Sequence, residues 1–194
     1  IRAIDGSALY AFTGIATKGH HNTRRWIQEA LQGAASFSLN ETIYRFAEIA
    51  TKKFANLMFR GEMLTVVFCG YSVDIGGFFG TVSNCEDEAG LLYPAVREKF
   101  AVRLYMSGRF AAPISGVMIN GYNQSKFPSE LTEINKLVTS FAPRNAITAK
   151  SVDLIRKLVN TNKTGGTVSQ NVMTSALEFP PIGQFGIPQP NTRF

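Results

Sequence analysis

The pattern of apolar and polar positions changes period several times along the chain. Short β-type runs come first, and helical stretches follow in two pairs. The predicted strands are Ile1–Asp5, Ala8–Thr13, Leu64–Tyr71, Phe78–Val82, Phe100–Met106, Ala112–Ile119 and Thr167–Leu177. The predicted helices begin near Asn22 or Thr23, at Asn40, at Ser129 or Ser125, and at Thr148. Because Asp-Gly readily adopts positive φ, the Asp5-Gly6-Ser7 turn predicts a hairpin between the first two strands.

The second helix and the strand after it have the clearest patterns. Glu41 lies in the first helical turn, where a carboxylate favours the helix dipole. The predicted buried face of this helix comprises Ile43, Phe46, Ala47, Ala50, Phe54 and Leu57. The run "LTVVFCGY" is nearly all apolar, which is typical of a strand covered on both faces. This predicts that Cys69 is a buried, inert thiol.

Paired helices between groups of strands argue against a doubly wound parallel sheet. They predict an α+β fold in which stacked sheets lie between helix layers. A chain of 194 residues is long enough for one compact domain. We expect a single domain over residues 1–177 and an extended arm over residues 178–194, where four prolines exclude a regular helix or a central strand.

Charge and composition restrict the kinds of partner and metal that the protein is expected to bind. The net charge of +6 permits an anionic partner, but the basic residues are spread out and do not interleave with aromatics. Specific nucleic-acid binding is therefore retained only as an alternative. No apolar run approaches the roughly 18 residues that span a bilayer, so no membrane partner is expected. Cys69 and Cys85 form no Cys-x-x-Cys pair, which argues against structural zinc and favours a cytoplasmic location.

The stretch "TGIATKGHHNTRRW" holds the most conspicuous candidate chemistry. Adjacent residues on a turn point in different directions, and no nearby Cys or carboxylate completes a ligand set with His20 and His21. No metal site and no other cofactor are therefore predicted. The acidic run Glu86 to Glu88 lacks EF-hand spacing and is interpreted as a solvated loop.

Three segments together resemble the proteasome β-type subunits of the N-terminal-nucleophile hydrolases. They are "RAIDGSALYAFTGIATKGHHNTRRWIQEA", "LTVVFCGYSVDIGGFFGTVSN" and "AITAKSVDLIRKLVNTNKTGGTVSQNVMTSAL". The resemblance covers most of residues 1–177 and implies a four-layer αββα sandwich. It also implies a threonine-type endopeptidase in a homo-oligomeric ring. Peptides or unfolded proteins would be its substrates, other ring subunits its partners, and an ATPase unfoldase a further optional partner.

The resemblance assigns site residues position by position. Gly14 matches the glycine whose backbone N–H stabilises the oxyanion. Phe12 and Ala16 match positions that line the pocket for the residue before the cleaved bond. Thr164 matches the Ser/Thr of a loop near the N-terminal amine. Thr161 stands where the family has an Asp, a departure that weakens the catalytic interpretation.

The start of the chain departs most from the family pattern. Ile1 cannot be a nucleophile, and the family's Lys would fall one residue before it. We therefore expect the nucleophile upstream of Ile1 in a longer protein, the alternative being a processed or degenerate subunit. Two other functions stay open, namely a non-catalytic structural subunit of the same fold and a basic nucleic-acid-binding α/β module.

Overall fold

The computed structural model describes residues 1–106, 128–140 and 142–160. The chain divides into two compact units, with residues 1–106 in the first and the two helices described from Pro128 onward in the second. Several predictions fall outside the described residues. They are the strands Ala112–Ile119 and Thr167–Leu177, the site residue Thr164 and the proline-rich arm.

Within the first unit, residues 1–106 form six strands, two helices and two short 3₁₀ turns. The strands are β1 (Gly6–Gly14), β2 (Thr17–Lys18), β3 (His21–Asn22), β4 (Leu64–Ser72), β5 (Gly76–Ser83) and β6 (Ala101–Met106). The helices are α1 (Thr23–Ala30) and α2 (Leu39–Phe54), and the 3₁₀ turns are Ala34–Ser36 and Leu57–Phe59. β2 and β3 form a separate two-stranded ladder.

The main sheet is antiparallel throughout, in the order β1-β4-β5-β6. Helices α1 and α2 lie in the chain between β1 and β4, which pair across this insertion. The predicted α+β class is confirmed by this combination of an antiparallel sheet with helices. The first predicted hairpin is reduced to one isolated bridge between Arg2 and Ser7.

One face of β4 is fully buried, whereas the other face is covered only in part. Leu64, Val66 and Phe68 alternate along the strand and are fully buried in the main core. Cys69, which points to the other face, is exposed. The prediction of a buried Cys69 is therefore wrong, because a run of apolar residues does not show that both faces of its strand are covered.

α2 supplies the main apolar layer on the buried face of the sheet. Its predicted face is buried from Ile43 to Phe54, and the ring of Phe46 meets that of Phe68 edge-on with centroids 5.8 Å apart. Leu57 was expected on the same face but is 74% exposed. The helix ends at Phe54, so the helical period no longer positions Leu57, which lies in the following 3₁₀ turn.

The helix starts follow ordinary capping chemistry. The Asn22 side chain accepts a hydrogen bond from the Arg25 N–H at 2.9 Å, which confirms Asn22 as the cap of α1. α2 begins one residue before the predicted start, because Ser38 is its cap and accepts from the Glu41 N–H at 3.1 Å.

The described part of the second unit consists of two helices that pack against each other, α3 (Pro128–Thr139) and α4 (Arg144–Asn160). α3 begins at Pro128, one residue before the predicted start at Ser129, and the fixed φ of proline suits the first helical turn. An ion pair between Lys150 and Glu133 links the two helices. The prediction that Thr148 caps α4 is wrong, since the helix already begins at Arg144, directly after Pro143.

Candidate functional site

Gly14 ends β1 in a conformation that only glycine adopts easily. Its φ is 112°, in the left-handed region. A Cβ atom at this position would lie 2.2 Å from the carbonyl oxygen of Met63. The same oxygen accepts a hydrogen bond from the Ile15 N–H at 2.8 Å, which holds the two backbones together. Backbone packing therefore requires a glycine here whether or not a substrate approaches it.

The turn after Gly14 is tied to the start of α1 by Thr23. The Thr23 N–H donates to the Ala16 carbonyl at 2.9 Å, and the Thr23 hydroxyl donates to the Ile15 carbonyl at 2.6 Å. His21 Nε2 lies 3.0 Å from the same hydroxyl oxygen. Since that hydroxyl has one proton and gives it to Ile15, His21 Nε2 must be the protonated ring nitrogen and donate.

His21 is enclosed by aromatic rings, whereas His20 is exposed. The His21 ring meets Phe59 edge-on with centroids 4.8 Å apart, and the Trp26 ring lies 5.9 Å away. Burial lowers the pKa of His21, and the nearby charge of Lys53 lowers it further. The lowered pKa favours the neutral imidazole, and its bond to the Thr23 hydroxyl links it to the Gly14 turn.

The other two described candidate residues lie on either side of Gly14. Phe12 is half-buried, projects from the helix-covered face of β1 and packs against the main core. Ala16 is exposed in the turn, and its carbonyl accepts the Thr23 hydrogen bond. Gly14 and Ala16 thus share one fixed turn, while Phe12 belongs to the strand that leads into it.

Sequence reasoning missed the part played by Asp5, which it placed only in a turn. The buried carboxylate accepts from the Leu39 N–H at 2.7 Å and from the Ser72 hydroxyl at 2.5 Å. It joins the N-terminus of α2 to the end of β4. Its partners are 34 and 67 residues away in the chain, so no local pattern could have indicated them.

The acidic run after β5 is only partly a solvated loop. Glu86 forms an ion pair with Arg103 at 3.0 Å, and both side chains are mostly buried. The Asp87 carboxylate accepts from the Leu91 N–H at 2.8 Å. Glu88 is exposed. The prediction of a solvated loop is therefore wrong for Glu86, because its charge is paired with a strand residue.

A cavity of about 460 Å³ lies at the other edge of the sheet from β1. It is lined by α2 residues Asn40 and Tyr44, by Ile75, by Glu88 and Ala89, and by residues 102–106 of β6. The described site residues Phe12, Gly14 and Ala16 are not among them.

Within residues 1–106, 128–140 and 142–160, no group of three His, Cys, Asp or Glu side chains could hold a metal ion. No helix in this part of the chain is long and apolar enough to cross a bilayer. Comparison with protein-family models, with curated proteins and with solved structures finds no match to the chain.

Proposed function

We propose that this chain is a subunit of a proteasome-like N-terminal-nucleophile hydrolase. It cleaves peptide bonds with a threonine-type nucleophile that lies upstream of Ile1. The observation that carries the proposal is the turn at the end of β1. Gly14 has φ 112° there, and the carbonyl of the next residue, Ile15, accepts a hydrogen bond from the Thr23 hydroxyl. An oxyanion site requires a backbone N–H whose position is set before the substrate arrives.

The proposed fold is a four-layer αββα sandwich. In the antiparallel sheet, Leu9, Cys69, Phe79 and Tyr105 form one row across all four strands. This row lies on the face opposite to the α2 core, and the rings of Phe79 and Tyr105 are stacked with centroids 5.0 Å apart. A largely apolar row of this kind is suited to packing against a second sheet. That sheet would complete the sandwich.

The proposed chemistry is acyl transfer. The hydroxyl of the nucleophile attacks the scissile carbonyl carbon while the free α-amine of the same residue takes its proton. The carbonyl oxygen gains a negative charge, which the Gly14 N–H stabilises. The amide nitrogen then leaves with a proton, and water hydrolyses the remaining ester. Ala16 and Phe12 shape the pocket beside the cleaved bond, and Thr164 supports the amine.

The direct test is labelling of the protein with a covalent inhibitor directed at N-terminal threonine, followed by mass mapping of the adduct. An adduct on a residue upstream of Ile1, together with a ring-sized native mass, supports the proposal. A ring without an adduct indicates the structural subunit instead. A monomer that binds DNA with a steep salt dependence indicates the basic module and rejects both ring functions.

A matched pair of variants tests whether Ala16 lines the proposed substrate pocket. Ala16→Leu fills the exposed side of the turn while keeping the backbone hydrogen bond to Thr23. Ala35→Leu makes the same change at an exposed position away from the sheet, in the 3₁₀ turn Ala34–Ser36. We expect Ala16→Leu to change the ratio of kcat/KM between peptides with small and large side chains before the cleaved bond. Equal ratios in the two variants would reject the pocket.

A further inference from the structure

The segment that follows α2 exposes large apolar side chains. Leu57 is 74% exposed and Met58 is 49% exposed, side by side on the 3₁₀ turn. Met63 is exposed a few residues later. The aromatic residue of the same turn, Phe59, is buried. Leu57 and Met58 therefore form an apolar tip of this turn that is in contact with water, while Phe59 beside them is buried.

Positive charge surrounds this turn. The last turn of α2 carries Lys52 and Lys53, and the 3₁₀ turn is followed at once by Arg60. A second segment, residues 97–100, lies against α2, because the Phe100 N–H donates to the Thr51 hydroxyl at 3.0 Å. It adds two more cations. We call residues 51–63 and 97–100 together the α2-end surface, and its cations are Lys52, Lys53, Arg60, Arg97 and Lys99.

The two carboxylates of the α2-end surface, Glu62 and Glu98, each lie close to a basic side chain. Glu62 is paired with Lys18 at 2.7 Å, and Glu98 lies 4.0 Å from Arg60. The surface therefore keeps an excess of positive charge around its apolar tip. This excess identifies the chemistry of the partner as anionic.

We infer that the α2-end surface binds reversibly to an anionic lipid bilayer. Protruding Leu57 and Met58 side chains can enter the soft interface without a preformed pocket, and the cations around them would meet the lipid phosphates. Nucleic acid fits less well, because Phe59 is buried and cannot stack on a base. The inference is independent of the proposed peptidase activity, since the side chains that would enter the bilayer, Leu57 and Met58, are exposed and are not among the residues that hold the Gly14 turn.

The chain contains a matched control for this surface. Leu91 and Leu92 are also adjacent and are 69% and 76% exposed. In the chain they follow the acidic run that ends at Glu88, and no Lys or Arg lies between residues 86 and 96. If exposed apolar area alone caused vesicle binding, this pair would contribute as much as Leu57 and Met58.

The test is cosedimentation of the protein with phosphatidylcholine vesicles that either contain or lack phosphatidylserine. We expect binding only to the phosphatidylserine vesicles, and we expect added salt to weaken it. The double variant Leu57→Ser, Met58→Ser should bind on the order of tenfold more weakly, because two apolar side chains no longer enter the interface. The control Leu91→Ser, Leu92→Ser should bind like the parent protein. Trp26 fluorescence verifies that each variant is folded.

Three results would overturn the inference. The first is absence of binding to the phosphatidylserine vesicles. The second is equal weakening by both double variants, which would mean that exposed leucines act without regard to charge. The third is that the protein does not bind vesicles but does bind soluble polyglutamate, and that the Leu57→Ser, Met58→Ser variant loses this binding. That result would assign the surface to an acidic protein partner.

Discussion

Replacement of Asp5 tests how the α2 layer is attached to the sheet. Asp5→Ala removes both acceptors of the buried carboxylate and leaves the Leu39 N–H and the Ser72 hydroxyl without these bonds. Each buried group left unpaired costs about 1–3 kcal/mol, and the lost charge at the N-terminus of α2 costs about 0.3–1 kcal/mol more. We expect the free energy of unfolding to fall by about 3 kcal/mol.

Two further variants apportion that loss. Asp5→Asn keeps the shape of the side chain and one acceptor for the Leu39 N–H, so we expect a loss of only about 1 kcal/mol. Asp74→Ala is the control, because this exposed carboxylate lies two residues after Ser72, the partner of Asp5, and we expect its effect to stay within about 0.5 kcal/mol. A double-mutant cycle of Asp5→Ala with Ser72→Ala should give a coupling energy of about 1 kcal/mol or more.

The assay is urea unfolding followed by tryptophan fluorescence. The chain has one tryptophan, and the ring of Trp26 packs against Phe46 of α2 with centroids 5.6 Å apart, so the signal reports on the first unit. A loss of 3 kcal/mol corresponds to a decrease in Tm of roughly 6–12 °C for a chain of this size. If Asp5→Ala and Asp74→Ala unfold alike, the carboxylate does not hold the α2 layer, and the reasoning is refuted.

Two further predictions concern the Gly14 turn and use the same assay. Gly14→Ala should lower the free energy of unfolding by about 3 kcal/mol, because the added Cβ meets the Met63 oxygen at positive φ. Gly19→Ala should lower it by about 1 kcal/mol, since φ is 57° there and no atom lies within 4 Å of the added Cβ. Equal losses in the two variants would contradict this reasoning. The lowered pKa of His21 means that the unfolded chain binds its proton first, so stability should fall as the pH drops below about 6.5. His21→Gln should flatten that fall between pH 7.5 and pH 5, with His20→Gln as the comparison, and an unchanged pH profile in His21→Gln would refute the assignment.

Local patterns predicted most elements of the first unit. The Asn22 cap, the buried positions of α2 up to Phe54 and the β4–β5 pair all follow from interactions within a few residues of the chain. Such interactions leave a periodic trace that a single sequence retains. The class of fold could be predicted for the same reason, since it depends on the order of elements and not on their contacts.

The errors share a different cause. Cys69 is exposed because the face of β4 on which it lies is only partly covered, and Leu57 is exposed because α2 ends at Phe54. Glu86 is shielded because Arg103 lies beside it on another element. Each outcome depends on tertiary neighbours that a local pattern does not encode. The candidate site divides in the same way. Gly14 and the two histidines were noticeable in the sequence, whereas the hydrogen bonds by which Thr23 and His21 fix the turn were not.

The position of α1 and α2 between two paired strands has a consequence for the order of folding. β4 and β5 are separated by only the three residues 73–75, so their hairpin can form early at small entropic cost. β1 must instead close a loop of about fifty residues before Gly14 can meet Leu64, and the Asp5–Ser72 bond spans 67. We therefore expect the contacts of β1 to form late, after the transition state. Weakening them should accelerate unfolding and leave the folding rate nearly unchanged.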